Sequence, residues 1–178
     1  SAGKEYVVFD IKGWKCGILI CYDNNVIENV RATALSGAQV IFAPHVTCCT
    51  PSAMPGRGYV ADELWQNRDL DPVPLRMEFD GPKGRGWLMR WLPARAYDNG
   101  VYYVFTYPIG YDGEHLKNGN SMIIDPYGEV LSEVKSFDDG IWRRIRVCDF
   151  KSKFVLNPDP RPESPHEFRI NKKQKETL

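Results

Sequence analysis

The sequence lacks an excess of charge of either sign. Its 23 Lys and Arg balance 23 Asp and Glu over 178 residues, for a formal net charge of +0. No basic stripe is available to follow a phosphate backbone, so nucleic acid is not an expected partner. Long apolar runs are missing as well. None reaches the roughly 20 residues that span a bilayer, and no charged-then-apolar leader opens the chain, so no membrane association is expected. Histidine is scarce, with His45, His115 and His166 far apart. The five cysteines, Cys16, Cys21, Cys48, Cys49 and Cys148, are odd in number and unevenly spaced. That argues against a disulfide framework and for a reducing, cytoplasmic setting. Cys48 and Cys49 are adjacent and lack the spacer residues of a metal knuckle, so neither a metal nor another cofactor is expected.

What is present suits an α/β domain. The composition is 43% hydrophobic, and the length fits one domain with a real core or a large piece of something bigger. Residues 6–11 (YVVFDI) and 15–20 (KCGILI) read as strands about a Lys12–Gly13 turn. The stretch NNVIENVRATALSG reads as a helix, capped by Asn24 or Asn25 and ended by Gly37, with Val26, Val30, Ala34 and Ile27 along its apolar face. AQVIFAP follows as a strand buried on both faces, completing a βαβ unit with a parallel pair. Prolines at 51, 55, 72, 74 and 82 break the rhythm over residues 45–83, which read as a long loop forming a lid or pocket wall. GWLMRWLPARAYDNG is a second helical stretch, which Pro93 either kinks or begins. VYYVFTYP, NSMIIDP, EVLSEV and GIWRRIRVCDF read as strands, and residues 155–178 as a proline-rich, charged tail.

Cys21 sits where an apolar strand stops and a helix begins. In α/β folds that edge is where sites form, and a thiol there meets unpaired amides of the coming helix. Such amides favour a thiolate and can hold a developing oxyanion, which suggests an acyl-transfer nucleophile with the Tyr22 N–H as donor. Free cysteine is also among the most buried residue types, and position alone leaves both readings open.

Three blocks of sequence bear on the choice. In GILICYDNNVIENVRATALSGAQVIFAP, Cys21, Asp23, Glu28, Arg31, Gly37, Ala38 and Pro44 fall in one register. ARAYDNG supplies Arg95, Ala96, Asn99 and Gly100, and GNSMIIDPYGEVL supplies Gly119, Ser121, Pro126 and Gly128. These blocks resemble the nitrilase superfamily of carbon–nitrogen hydrolases. Two departures are Ile27, where the family has proline, and Asp98, where it has glutamate. The resemblance implies part of a four-layer αββα sandwich, one sheet with two main helices plus the tail. It also implies hydrolysis of a non-peptide carbon–nitrogen bond, in an amide or carbamoyl amide, through a thioester on Cys21. The family's glutamate base and its lysine lie well before the cysteine, whereas 20 residues precede Cys21 here. Residues 1–154 are therefore expected to be the C-terminal half of the domain, inactive alone, the other half being lost by truncation, by cleavage or to a second chain.

Other residues are weaker candidates. Asn24, Asn25 and His45 are placed near substrate, although either asparagine serves equally well as a helix cap. Glu28 and Arg31 are three apart on one helix face, where they are expected to pair. With Asp23 they are read as shaping the site, and the resemblance places the Glu28–Arg31 face near a subunit contact, implying a homo-oligomer. The expected partner is a small-molecule amide. The alternative from another class is a non-catalytic binding or assembly module built from half of the fold.

Overall fold

In the computed structural model, residues 3–46 and 58–138 are described. The first hairpin forms because Lys12 and Gly13 both take positive φ, 50° and 85°, the geometry of a two-residue turn matched to strand twist. It joins β1 (Val8–Ile11) to β2 (Trp14–Ile18), with Ile11 opposite Trp14. The pairing ends at Val8 opposite Gly17, so Lys4 and Glu5 are not paired with the residues around Cys21.

Beyond β2, the βαβ unit forms as expected: helix α1 (Ile27–Leu35) leads to β3 (Val40–Pro44), which pairs parallel with β2. β4 (Tyr102–Thr106) adds in parallel to β3. β7 (Met122–Ile124) and β8 (Val130–Glu133) then complete a six-stranded mixed sheet in the order β1-β2-β3-β4-β7-β8. The Asp125–Gly128 turn joins the last two, with the Gly128 amide on the Asp125 carbonyl at 2.9 Å.

One face of this sheet is sealed. Ile41, Tyr103 and Ile124 on the strands meet Val30 of α1 with Leu92 and Ala96 of a later helix in one apolar cluster. The approach of α1 is close because position 17 is glycine: a Cβ there would stand 2.4 Å from Thr33 Cγ2. On the opposite face Val40, Phe42 and Val104 are only half-buried and Ile18 is 44% exposed. The expectation of a strand buried on both faces is therefore corrected for β3 and for the end of β2. β3 alternates between a deeply buried side and a partly open one, whereas β4 and β7 keep buried residues on both faces, Tyr102 beside Tyr103 and Ile123 between Met122 and Ile124.

Two further expectations change. The segment read as a long loop contains α2 (Asp62–Gln66) and α3 (Pro72–Asp80). Pro72 suits the first turn of α3, where no amide hydrogen is needed, and the Asp71 carboxylate caps it by accepting from Val73 N at 3.3 Å. The second helical stretch is not one helix but α4 (Arg85–Leu88) and α5 (Leu92–Tyr97), with Pro93 in the first turn of α5. A hairpin unforeseen in the sequence, β5 (Ile109–Asp112) and β6 (His115–Asn118), turns at Gly113 with φ 60°. It packs with α2 and α3 in a second small cluster containing Val60, Leu75, Phe79 and Leu116. The expected strand GIWRRIRVCDF, the tail, and Cys48, Cys49 and Cys148 lie outside the described residues. Among the described residues no helix is long and apolar enough to cross a membrane.

Candidate active site

β2 stops at Ile18, and the backbone stays extended through Ile20 (φ −102°, ψ 125°). At Cys21 it turns abruptly to φ +50° and enters a 3-10 helix, Cys21–Asn25, ahead of α1. A left-handed conformation on a non-glycine residue costs roughly 1–2 kcal/mol and persists only where its surroundings fix it. Here several groups do so. The Asp23 carboxylate accepts from Ile20 N at 3.2 Å, while Asp23 N donates to Ile20 O at 3.1 Å. Asn29 Nδ2 donates to Asp23 O at 3.2 Å.

Asn24 is the centre of the turn. It is wholly buried, and its Nδ2 donates to Leu19 O at 2.9 Å and to Cys21 O at 3.2 Å. Its Oδ1 accepts from the Tyr103 hydroxyl at 2.6 Å. Burial pushes the Tyr103 phenol well above its ordinary value, with the Arg95 charge opposing in part, so Tyr103 stays a donor. Arg95 on α5 holds the next turn outward: Nε donates to Asn24 O and Nη2 to Asn25 O, each at 3.4 Å. Its guanidinium lies 5.8 Å from the centre of the Trp91 ring, a cation–π contact.

The Cys21 thiol is half-buried and donates to Val46 O at 3.5 Å, so the chain just after β3 runs past this side chain. The first amide to find an acceptor within the 3-10 turn is that of Asp23, which leaves the Cys21 and Tyr22 amides ahead of the turn's first bond. Among the described residues, no carboxylate, amine or imidazole bonds to the thiol. Lys15, on the strand before it, is engaged with Asp10 Oδ2 at 2.6 Å.

The remaining sequence candidates divide. Tyr22 is 72% exposed beside the thiol. Asn25 is half-buried and gives its carbonyl to Arg95. Asn24 does not cap α1, whose N-cap is Val26 without a side-chain bond; its side-chain amide is spent on Leu19 O, Cys21 O and the Tyr103 hydroxyl. His45 is 2% exposed, its ring packed 5.8 Å from that of Trp91 and 5.6 Å from that of Phe105, while its amide donates to Thr106 O. Glu28 and Arg31 are both exposed, and among the described residues no ion pair joins them. Helical spacing brings such a pair within reach, but in water neither long side chain is compelled to hold it. Two residues of the turn's support, Tyr103 and Arg95, had no assigned role in the sequence reading. Tyr103 had a signal: a tyrosine at a buried strand position needs a partner for its hydroxyl.

A model of the carbon–nitrogen hydrolase family matches residues 1–143. A hydrolase in the pqqF 5'region of Pseudomonas protegens is 30% identical over 74% of this chain and 35% of its own length. An (R)-stereoselective amidase of a Pseudomonas species is 29% identical over 75% of this chain and 37% of its own. Among solved structures, a mutant of the Nesterenkonia AN1 amidase of the nitrilase superfamily superposes with a TM-score of 0.51 at 26% identity, covering 75% of this chain and 38% of that one. In a second mutant of that amidase, 27% identical with a TM-score of 0.51 and covering the same shares of the two chains, the acetamide moiety of fluoroacetamide is added covalently at the active-site cysteine. The chain thus spans little more than a third of the length of these relatives.

Proposed function

We propose, from the premise that the chain belongs to the carbon–nitrogen hydrolase family, that the complete protein hydrolyses a small amide through a thioester on Cys21. The observation that carries the reading is the Cys21 turn itself: a thiol on a left-handed residue at the sheet edge, followed by amides that precede the first helical bond. The covalent adduct on the active-site cysteine of the Nesterenkonia amidase supports the assignment. The thiolate attacks the amide carbonyl carbon and forms the C–S bond, and the oxyanion accepts from Tyr22 N–H. The C–N bond then breaks and the amine leaves with a proton; water cleaves the thioester, releasing the acid and restoring the thiol. The glutamate base and the lysine belong to a segment N-terminal to this chain, which supplies the other half of the sandwich. The half-open sheet face and the exposed Glu28–Arg31 face of α1 are the surfaces offered to that half and to a second copy.

On this reading the chain alone forms an acyl adduct with an activated ester but does not turn over amides. General base catalysis is typically worth about 10²–10⁴-fold, and that base is expected outside the chain. Incubation with p-nitrophenyl acetate followed by peptide mass spectrometry is expected to place one acetyl group on Cys21. Steady hydrolysis of a simple amide by the purified chain, abolished in Cys21→Ser, would overturn the division of the site between two segments. No acetyl group on Cys21 would overturn the nucleophile assignment.

A further inference from the structure

We propose that Asn24 and Tyr103 form a positioning pair that aims the oxyanion donor; the inference rests on Cys21 being the acyl-transfer nucleophile. The Asn24 side chain has two amide hydrogens, and both are spent around Cys21: one on the carbonyl of Leu19, the other on the carbonyl of Cys21 itself. The second bond has a consequence beyond holding the turn. The Cys21 carbonyl and the Tyr22 N–H belong to one planar trans peptide and point in opposite directions. Fixing the oxygen therefore fixes the direction in which the N–H is presented, on the side away from Asn24.

Asn24 can do this only in one orientation of its amide. An amide flipped by half a turn would set its oxygen against two carbonyl oxygens. The two carbonyls thus choose the orientation, and the Tyr103 hydroxyl anchors it by donating to Oδ1 at 2.6 Å in a fully buried setting. Tyr103 lies on β4, which pairs with β3 and so is separated from β2 by one strand. The link thus ties the nucleophile's turn to the middle of the sheet. Neither residue touches the position of a substrate; both act through the Cys21–Tyr22 peptide.

Acylation and alkylation of the same thiol separate positioning from mere support of the fold. With p-nitrophenyl acetate the Cys21 thiolate bonds to the acetyl carbon, the carbonyl oxygen carries negative charge, and the C–O bond to p-nitrophenolate breaks. With iodoacetamide the thiolate displaces iodide and no oxyanion develops. The thiol proton goes to buffer in both, and at about pH 9 an ordinary thiol is largely ionised without a general base. Tyr103→Phe removes one hydroxyl and leaves the ring. It is expected to slow acylation of Cys21 by about 10-fold or more while alkylation stays within about twofold, because only acylation uses the oxyanion donor. Asn24→Asp acts in the same direction, and Tyr111→Phe, which removes a hydroxyl bonded to Asp62, changes neither rate. Labelling of the buried Cys16 reports loss of the fold; if Asn24→Asp exposes it, Tyr103→Phe decides. An unchanged ratio of acylation to alkylation in Tyr103→Phe overturns this inference alone. A native chain that alkylates but never acylates at Cys21 overturns the nucleophile assignment and this inference with it.

Discussion

Substituting Gly17 by alanine tests how tightly α1 is seated behind the Cys21 turn. The new Cβ would stand 2.4 Å from Thr33 Cγ2 and 3.4 Å from Ala38 Cβ. Ordinary carbon–carbon contact is about 3.5–4.0 Å, so α1 must retreat by about 1 Å or Thr33 must leave its rotamer. Retreat loosens the apolar cluster, and overpacking of this kind costs about 1–3 kcal/mol. Rotation instead forfeits the Thr33 hydroxyl's bond to Asn29 O at 2.7 Å, a loss of about 1 kcal/mol, with off-rotamer strain of about 0.5–1.5 kcal/mol beside it. Against this, alanine gains roughly 0.5–1 kcal/mol over glycine within a strand. By either route the balance is a destabilisation of about 1 kcal/mol. Urea unfolding should show it as a lower midpoint with an unchanged slope. Thr33→Ser deletes only Cγ2 and keeps the hydroxyl, so the double variant Gly17→Ala/Thr33→Ser should recover at least about 1 kcal/mol beyond additivity. Two substitutions that add within about 0.5 kcal/mol would refute the contact as the cause.

Further outcomes are expected elsewhere. Iodoacetamide should alkylate Cys21 faster than Cys148, read by peptide mass spectrometry; equal rates would remove the main physical support for an accessible nucleophile. Glu133, whose side chain is 8% exposed, accepts from Arg85 Nε at 2.8 Å and from Asn120 at 2.9 Å. Glu133→Ala should therefore cost about 3 kcal/mol in urea unfolding by stranding a partly buried guanidinium; a loss under about 1 kcal/mol would mean that water screens the pair. Because burial raises the Tyr103 phenol above its unfolded value, its contribution to stability is complete below about pH 10 and fades as pH climbs further. Tyr103→Phe should flatten that alkaline limb in pH-dependent melts, and an identical limb would argue that the hydroxyl is not held as described. Light scattering should find the purified chain self-associated, with an apolar-surface dye bound to it; a monodisperse 20.4 kDa monomer that leaves the dye dark would mean that no bare sheet face exists.

The parts of the fold legible in the sequence were those with local causes. Lys12–Gly13 announced a tight turn, Gly37 a left-handed helix end (φ 99°), and VIFAP a strand, because each effect depends on a few adjacent residues. Helix α3 was hidden by proline, which marks a loop and a first helical turn alike; only the neighbouring Asp71 cap tells them apart. The hairpin β5–β6 alternates too weakly to stand out among the strands around it. At the site, the place of Cys21 was readable from a strand giving way to a helix. Asn24 was not, because its bond to Tyr103 spans 79 positions of sequence, and no local pattern records a partner that distant. The cap expected from Asn24 or Asn25 did not form, since the N-cap is Val26, and the Asn24 oxygen that would have capped accepts from Tyr103 instead.

The left-handed backbone at Cys21 also bears on how such a chain would change over generations. Glycine or asparagine would sit at that position with less strain than cysteine, so the native residue is held there against a gradient of stability. A lineage that no longer needed the chemistry would gain firmness by losing the thiol in a single step. On the proposed function, a chain that keeps cysteine on this turn keeps reactivity at the expense of sturdiness.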